Sequence, residues 1–250
     1  MGSGFRDDRI TVMLVHPWDA SNHDDEGRAV LHEFDFGQLI APGGPDRVLP
    51  VVVPTHFTFD GDHTVQLHLA KPNPVWRALA ERPRALLTVV TDYAYVPAAV
   101  NSDAGAGEDP AFGVPTSYYA AVQAEVDVET VEDPAAKAAI LATALSHFEP
   151  AGSLRAAPAL DVPRDRRQIG GIRGLRLTIT GVNAKFKYGG NKTAEHRAEI
   201  AAALQARNGP MDATAVRRIL GRLPEPTETS WAGRSGRTRV PGTNEPGTPR

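Results

Sequence analysis

Thr55-His56 and Leu67-His68-Leu69-Ala70-Lys71-Pro72-Asn73-Pro74 are the stretches on which the reading of this chain turns. Between them lies Asp60-Gly61-Asp62, a tight-turn signal, so residues 51–59 and 64–69 are expected to form a hairpin. Side chains alternate across a strand, which puts Val65, Leu67 and Leu69 on one face and Thr64, Gln66 and His68 on the other. With the apolar face turned into a core, His68 projects from the opposite face at the strand end. His56 precedes the turn and is expected to be a neighbour of His68 across the hairpin. Asn73 then caps a helix with Pro74 in its first turn, whose Val75, Trp76, Leu79 and Ala80 share a face.

On the N-terminal side, residues 10–16 (ITVMLVH) read as a short strand or extended arm, 24–32 as a short helix, and 36–41 and 48–54 as strands. On the C-terminal side, Pro83 stops the first capped helix and 85–91 is a continuous apolar strand. Residues 101–113 are rich in Gly, Ala and Asp and read as a loop or lid. The longest strand signal, 118–130, alternates at Val122, Ala124, Val126 and Val128. Asp133-Pro134 opens a helix carrying Ile140, Leu141, Ala144, Leu145 and Phe148 at helical spacing. A last strand covers 175–182, Thr193 begins a third helix, and Asp212 caps a fourth. Beyond Leu223 the composition changes: 224–250 holds five Pro and four Gly among few apolar residues, which predicts a disordered tail after a folded region at 10–223. Short strands with helices between them, not strictly alternating, predict an α+β fold built on a small β-barrel with helices outside.

Composition removes several chemistries. The 250 residues include no Cys, which excludes disulfides, thiolate zinc sites, iron–sulfur clusters and cysteine catalysis. A transition metal must therefore be held by His, Tyr or carboxylate. A net charge of −3 argues against nucleic acid as an obligatory partner. No apolar run reaches membrane-spanning length and no signal-peptide core opens the chain, so no membrane partner is expected and the cytoplasm is the expected compartment. There is no serine-hydrolase elbow, zinc signature or phosphate-binding Gly loop, and Asp60-Gly61-Asp62 is too short for a calcium loop.

His68 is read first as a hydrogen-bonded structural histidine or a metal ligand, with His56 as ligand, supporting group or structural contact. His63 is expected to be solvated, and His16, His23, His32, His147 and His196 fit surface or capping positions. Lys71 precedes the Asn73 cap, where a cation and a helix N-terminus together suit an anion. In Lys185-Phe186-Lys187-Tyr188-Gly189-Gly190-Asn191-Lys192, Lys185 and Lys187 share a strand face, and the Gly pair lets backbone N–H groups approach an anion. Ser117 and Tyr119 share a face, opposite Tyr118, and suit substrate positioning through their hydroxyls; Tyr95 carries the same choice between packing and positioning.

THFTF (55–59), LHLAKPNPVWRAL (67–79), AYVP (94–97), VPTSYY (114–119) and KFKYGGNK (185–192) stand in the order and spacing seen in PaiB-type proteins, so residues 10–208 resemble that FMN-binding family. The resemblance implies a flavin-type split β-barrel and a homodimer with the cofactor at the subunit interface. Where PaiB-type proteins usually carry Trp-Asn this chain has Ser117-Tyr118, and where they tend to carry an aromatic pair it has Ala99-Val100-Asn101. This altered pattern resembles the branch of the haem-dependent piperazate synthases. That branch implies a small amino-acid substrate, N5-hydroxy-L-ornithine, cyclised to L-piperazic acid through an N–N bond with loss of water. It also implies haem b with His68 as axial ligand, and Lys71, His56, Lys185 and Lys187 as further cofactor contacts. The alternative is an FMN- or haem-binding transcriptional regulator without turnover.

Overall fold

In the computed structural model, which describes residues 13–23, 25–102 and 107–223, seven strands form one sheet. They are β1 (Phe36–Ala41), β2 (Val51–His56), β3 (Thr58–Phe59), β4 (Thr64–Ala70), β5 (Arg84–Val96), β6 (Thr116–Val131) and β7 (Ile172–Lys187). Every pairing is antiparallel, in the order β2-β1-β5-β6-β7-β4-β3. The two edge strands β2 and β3 are separated in the chain by Phe57 alone, so the sheet curls round until its edges meet. The result is a split β-barrel of the α+β class. Phe57, 1% exposed, seals the join, and its N–H donates to the Asp35 carbonyl at 2.8 Å.

Alternation fills the barrel. Leu39, Val65, Leu67, Leu87, Val122, Leu175 and Leu177 point inward and are buried, each such Leu contributing roughly 1.5–3 kcal/mol of transfer free energy. Helices cover the outside: α1 (Glu26–Glu33), α2 (Val75–Glu81), α3 (Ala98–Asn101), α4 (Pro134–Phe148), α5 (Pro163–Gly170), α6 (Ala194–Arg207) and α7 (Asp212–Gly221). One continuous core runs from Val30 to Ile219. Among the described residues no helix is long and apolar enough to cross a membrane.

The strand at 36–41 lies where alternation places it. The Asp60-Gly61-Asp62 turn is present: Gly61 takes φ +89°, and Asp60 Oδ1 accepts from the N–H groups of Asp62, His63 and Thr64. Its ladder is shorter than expected, since only Thr58–Phe59 pairs with β4 while β2 pairs with β1. The second strand starts at Val51 because Val48 and Leu49 stand exposed in the connecting loop. Strands β5 and β7 run well past the apolar runs at 85–91 and 175–182, as bulges keep them going after the pattern breaks. One bulge falls at Asp92, whose φ of +53° shifts the inward phase from Val89 to Ala94 and Val96.

Other corrections are local. Ala78 rather than Ala80 completes the buried face of α2. His196, expected at the surface, is 3% exposed on α6, whose start is capped by the Thr193 hydroxyl. Asp212 is the first residue of α7 rather than its cap position, which Met211 takes. Helix α5 was not expected, because only Asp165 and Ile169 in it are buried and it shows no apolar period. Residues 13–16 form no strand; 10–12 and the expected tail at 224–250 lie outside the described residues, as does 103–106 within the expected lid.

Candidate functional site

Continuing the β3–β4 register, Thr58 with Gln66 and Phe59 with Val65, brings His56 opposite His68. Their ring centres lie 5.4 Å apart with planes at 68°. Both rings project from the outer face of the barrel, since Leu67 and Leu69 occupy the inner one.

A roof stands over this pair. Helix α4 begins where Asp133 accepts from the Ala136 N–H at 2.8 Å, and it lies close on the sheet because β7 carries Gly174 beside His68. A Cβ at Gly174 would come within 2.6 Å of Ile140 Cδ1. Buried Lys137 donates to the Ile172 carbonyl at 3.2 Å, and at the other end of α4 His147 Nε2 meets Asp35 Oδ2 at 2.9 Å. Between these anchors, Leu141, Ala144, Leu145 and Phe148 face the imidazoles across a cavity of about 500 Å³. The Phe148 ring meets that of His56 edge-on at 5.0 Å. Arg155, Pro158, Gln168 and Ile172 complete the wall.

The electrostatics single out His68. Burial, reinforced by His56 beside it, pushes its imidazole below the ordinary 6.5, so the ring is neutral at pH 7 with a lone pair free for a ligand. Its Nδ1 is enclosed and has no hydrogen-bond partner. Arg155 is the one permanently charged lining residue. Its Nη2 donates to Asp165 Oδ1 at 3.1 Å and its Nη1 to the Ala156 carbonyl at 2.9 Å. The Ala159 N–H and this arginine hold the Asp165 carboxyl below the usual carboxylate range.

The remaining sequence candidates fall elsewhere. Lys71 stands exposed just past the Ala70–Ile172 pair and outside the cavity wall, and the first free N–H of α2, on Val75, is already taken by Asn73 Oδ1 at 3.0 Å. Tyr95 pairs with Ser117, and Tyr119 with Lys187, at the far end of the β5–β6–β7 ladder. His68 registers through Gly174 to Val131, so along β6 the two groups are separated by on the order of 40 Å of strand. Ser117 and Tyr119 do share the outward face, with Tyr118 buried opposite. Lys185 donates to the Leu14 carbonyl at 3.0 Å and lies 3.9 Å from buried Asp19. The Gly pair serves packing: a Cβ at Gly189 would run into the Tyr118 hydroxyl, and one at Gly190 into the Trp18 carbonyl. Burial pushes the Tyr118 phenol up to about 12, so it stays protonated at neutral pH.

A larger groove of about 940 Å³ runs along the outside of β1, β5 and β6. It contains no histidine, and its Arg84 is paired with Asp127 at 3.3 Å and Glu125 at 3.8 Å. The smaller cavity holds both imidazoles and Arg155.

Arg155 and Gln168 were missed from sequence. The only signal was a lone arginine in the small-residue segment Ala-Gly-Ser-Leu-Arg-Ala-Ala-Pro, 151–158.

A family profile described as "Putative FMN-binding domain" matches residues 13–181, more than half of the chain. Among solved structures, the flavocytochrome Anf3 from Azotobacter vinelandii is similar, with a TM-score of 0.52 and 20% identity over 69% of this chain and 71% of that one. So is the FAD and haem binding protein from Mycobacterium smegmatis, with a TM-score of 0.52 and 17% identity over 77% of this chain and 81% of that one. At these identities the likeness is one of fold. No curated protein matches the chain by sequence.

Proposed function

The chain belongs to this FMN-binding domain family, and from that premise we propose that it is a haem-dependent piperazate synthase, converting N5-hydroxy-L-ornithine to L-piperazic acid and water. The observation that carries the reading is His68: a neutral imidazole with no polar partner, facing an apolar cavity of about 500 Å³ with a single arginine on its wall. That volume lies within the range of cofactor pockets. The donor set suits a flat apolar macrocycle with an acidic edge: an imidazole for the metal, aliphatic and aromatic side chains for the ring, a guanidinium for a carboxylate. The two neighbours described as a flavocytochrome and as an FAD and haem binding protein provide precedent for haem in this fold.

Geometry separates the two histidines. Imidazoles on opposite faces of one porphyrin need two metal–nitrogen bonds of about 2 Å in line, which sets their ring centres more than ~6 Å apart. At 5.4 Å and 68° the two rings stand too close to hold one metal from opposite sides, so the more buried His68 would hold it and His56 would stand beside it. When bound, the iron supplies a Lewis acid that weakens the substrate N–O bond. The chain does the rest. Leu141, Leu145 and Phe148 exclude water from the reacting hydroxylamine. Holding the α-amine near N5 makes ring closure intramolecular, where effective molarities of about 10⁵ M or more are attainable.

We assign Ser117, Tyr119 and Tyr95, with Lys187 beside them, to a second contribution made across a homodimer. In its favour, these hydroxyls face outward, and Phe36, Val52 and Val90 are exposed large apolar residues on the outer sheet face. The cytoplasm is the compartment that suits a free amino-acid substrate.

The test is direct. Haem-loaded protein incubated with N5-hydroxy-L-ornithine is expected to form piperazic acid, read by mass spectrometry; no product at saturating haem rejects the cyclase. The family description names FMN, and the second reading is an FMN- or haem-binding transcriptional regulator without turnover. Yellow flavin bands, in place of a Soret band, in the purified protein would select its flavin form.

A further inference from the structure

The segment joining α4 to α5, residues 149–162, crosses the open side of the histidine cavity and contributes Arg155 and Pro158 to its wall. It has no regular structure, yet it is tied down at several points. The Ser153 hydroxyl donates to Glu149 at 2.6 Å and accepts from the Arg155 N–H at 3.2 Å. Asp165, 5% exposed at the start of α5, accepts from Arg155 and from the Ala159 N–H at 3.1 Å each. Asp165 thus fixes both the backbone of the strap and the direction of its arginine.

That direction has a consequence. A guanidinium has five N–H donors in a planar fork, and these bonds use one on each terminal nitrogen. The rest of the fork is free for a ligand, and the cavity wall carries no carboxylate to compete for it. The cavity wall combines this cation with the two imidazoles and with apolar side chains. Such a wall discriminates between an occupant with an acidic edge and a neutral one of the same shape.

We infer that Arg155 is the carboxylate-recognising residue of the cavity, held in place by Asp165, and that the site selects ligands with a flat apolar body and an ionised acid group. The inference rests on the reading that haem occupies this cavity, and it names Arg155 as the partner of a propionate.

Optical titration of the full-length protein with haem b and with its dimethyl ester tests it, because the ester keeps the macrocycle and the iron but has no acid. Wild type is expected to bind the free acid at least tenfold more tightly, in line with a charge-assisted hydrogen bond. Arg155→Leu is expected to bring the ratio close to one by weakening the free acid more than the ester, Arg155→Lys to keep part of the preference, and Asp165→Asn to lower it while Arg155 remains. Equal binding of acid and ester by wild type overturns the inference and leaves the haem reading standing. A preference that survives in Arg155→Leu overturns it as well. If neither form binds, the haem reading fails and this inference with it. The comparison of the two ligands on wild type needs no variant to fold.

Discussion

The two ends of the β6–β7 ladder are both rich in polar side chains, and they are built in opposite ways. At the Tyr119–Lys187 end the charged groups are mostly paired, while Asp92 Oδ1, Tyr118 Oη and Arg197 Nε are sealed in packed surroundings without a hydrogen-bond partner. Asp92, 1% exposed and at φ +53°, receives Arg218 Nε at 2.8 Å; Arg222 reaches Glu26 and the Ala20 carbonyl and lies over the Phe186 ring at 4.7 Å. Lys185 holds the N-terminal segment down through Leu14. Asp19 is buried there, and its carboxyl is raised by that burial against the pull of Lys185. At the Val131–Gly174 end, α4 leaves Leu141, Ala144 and Leu145 half-buried, and the His68 ring lines the apolar cavity between them. Polar groups with partners hold a fold together; a polar group without one, facing an apolar cavity, is available to a ligand.

That contrast can be broken by substitution. The largest expected effect is at the closed end. Phe186→Ala, at a side chain with 0% exposure, is expected to cost about 3–5 kcal/mol in denaturant unfolding, and a cost below about 1 kcal/mol would show that this end is not tightly packed.

Next comes Asp212, which takes Arg207 through both oxygens at 2.5 and 2.8 Å and the Gly209 N–H at 2.7 Å. Asp212→Asn is expected to cost about 2 kcal/mol at pH 7. The hydrogen bond from Arg207 leads the causes that hold this carboxyl below its ordinary 3.8. Its contribution is therefore complete above that value and is lost as the pH falls through the lowered folded value. Unfolding curves of wild type and variant should converge only below pH 3.8, and convergence near neutrality would show that the pair is not formed.

A smaller stability effect is expected at the open end. Leu145→Ala removes a half-buried side chain and should cost less than about 1 kcal/mol, while Leu145→Trp should fill the cavity and abolish haem uptake without unfolding the protein. Retained haem binding in the tryptophan variant would place the ligand elsewhere. His56→Ala is the mildest, expected to weaken haem binding by roughly tenfold or less if its ring, 5.4 Å from that of His68, only supports the ligand.

The open end was also the more legible of the two. Alternation at Val65, Leu67 and Leu69 put His68 on the outer face, and the Asp60-Gly61-Asp62 turn put His56 across from it, because both signals are local and strict in period. The roof was half legible. The apolar spacing of α4 announced a helix, but its seat depends on Gly174 more than thirty residues later in the chain, and Arg155 lies in a segment with no period at all. The contacts of the closed end were illegible for the same reason. Lys185, Gly189 and Gly190 form a dense motif whose partners Leu14, Tyr118 and Trp18 are brought by remote segments, and no local pattern reports that they are already engaged. Bulges ended the apolar runs early in the sequence while hydrogen-bond pairing continued, so β5 and β7 were read too short.

The central claim is that the β4 imidazole, not the lysine–tyrosine end, carries the haem. Absorption spectra of wild type, His68→Ala and Tyr119→Phe after haem loading test it most directly. A Soret band of an imidazole-ligated haem in wild type and Tyr119→Phe, lost in a folded His68→Ala, is the result this account predicts. An unchanged band in His68→Ala, or flavin bands in its place in wild type, would contradict it.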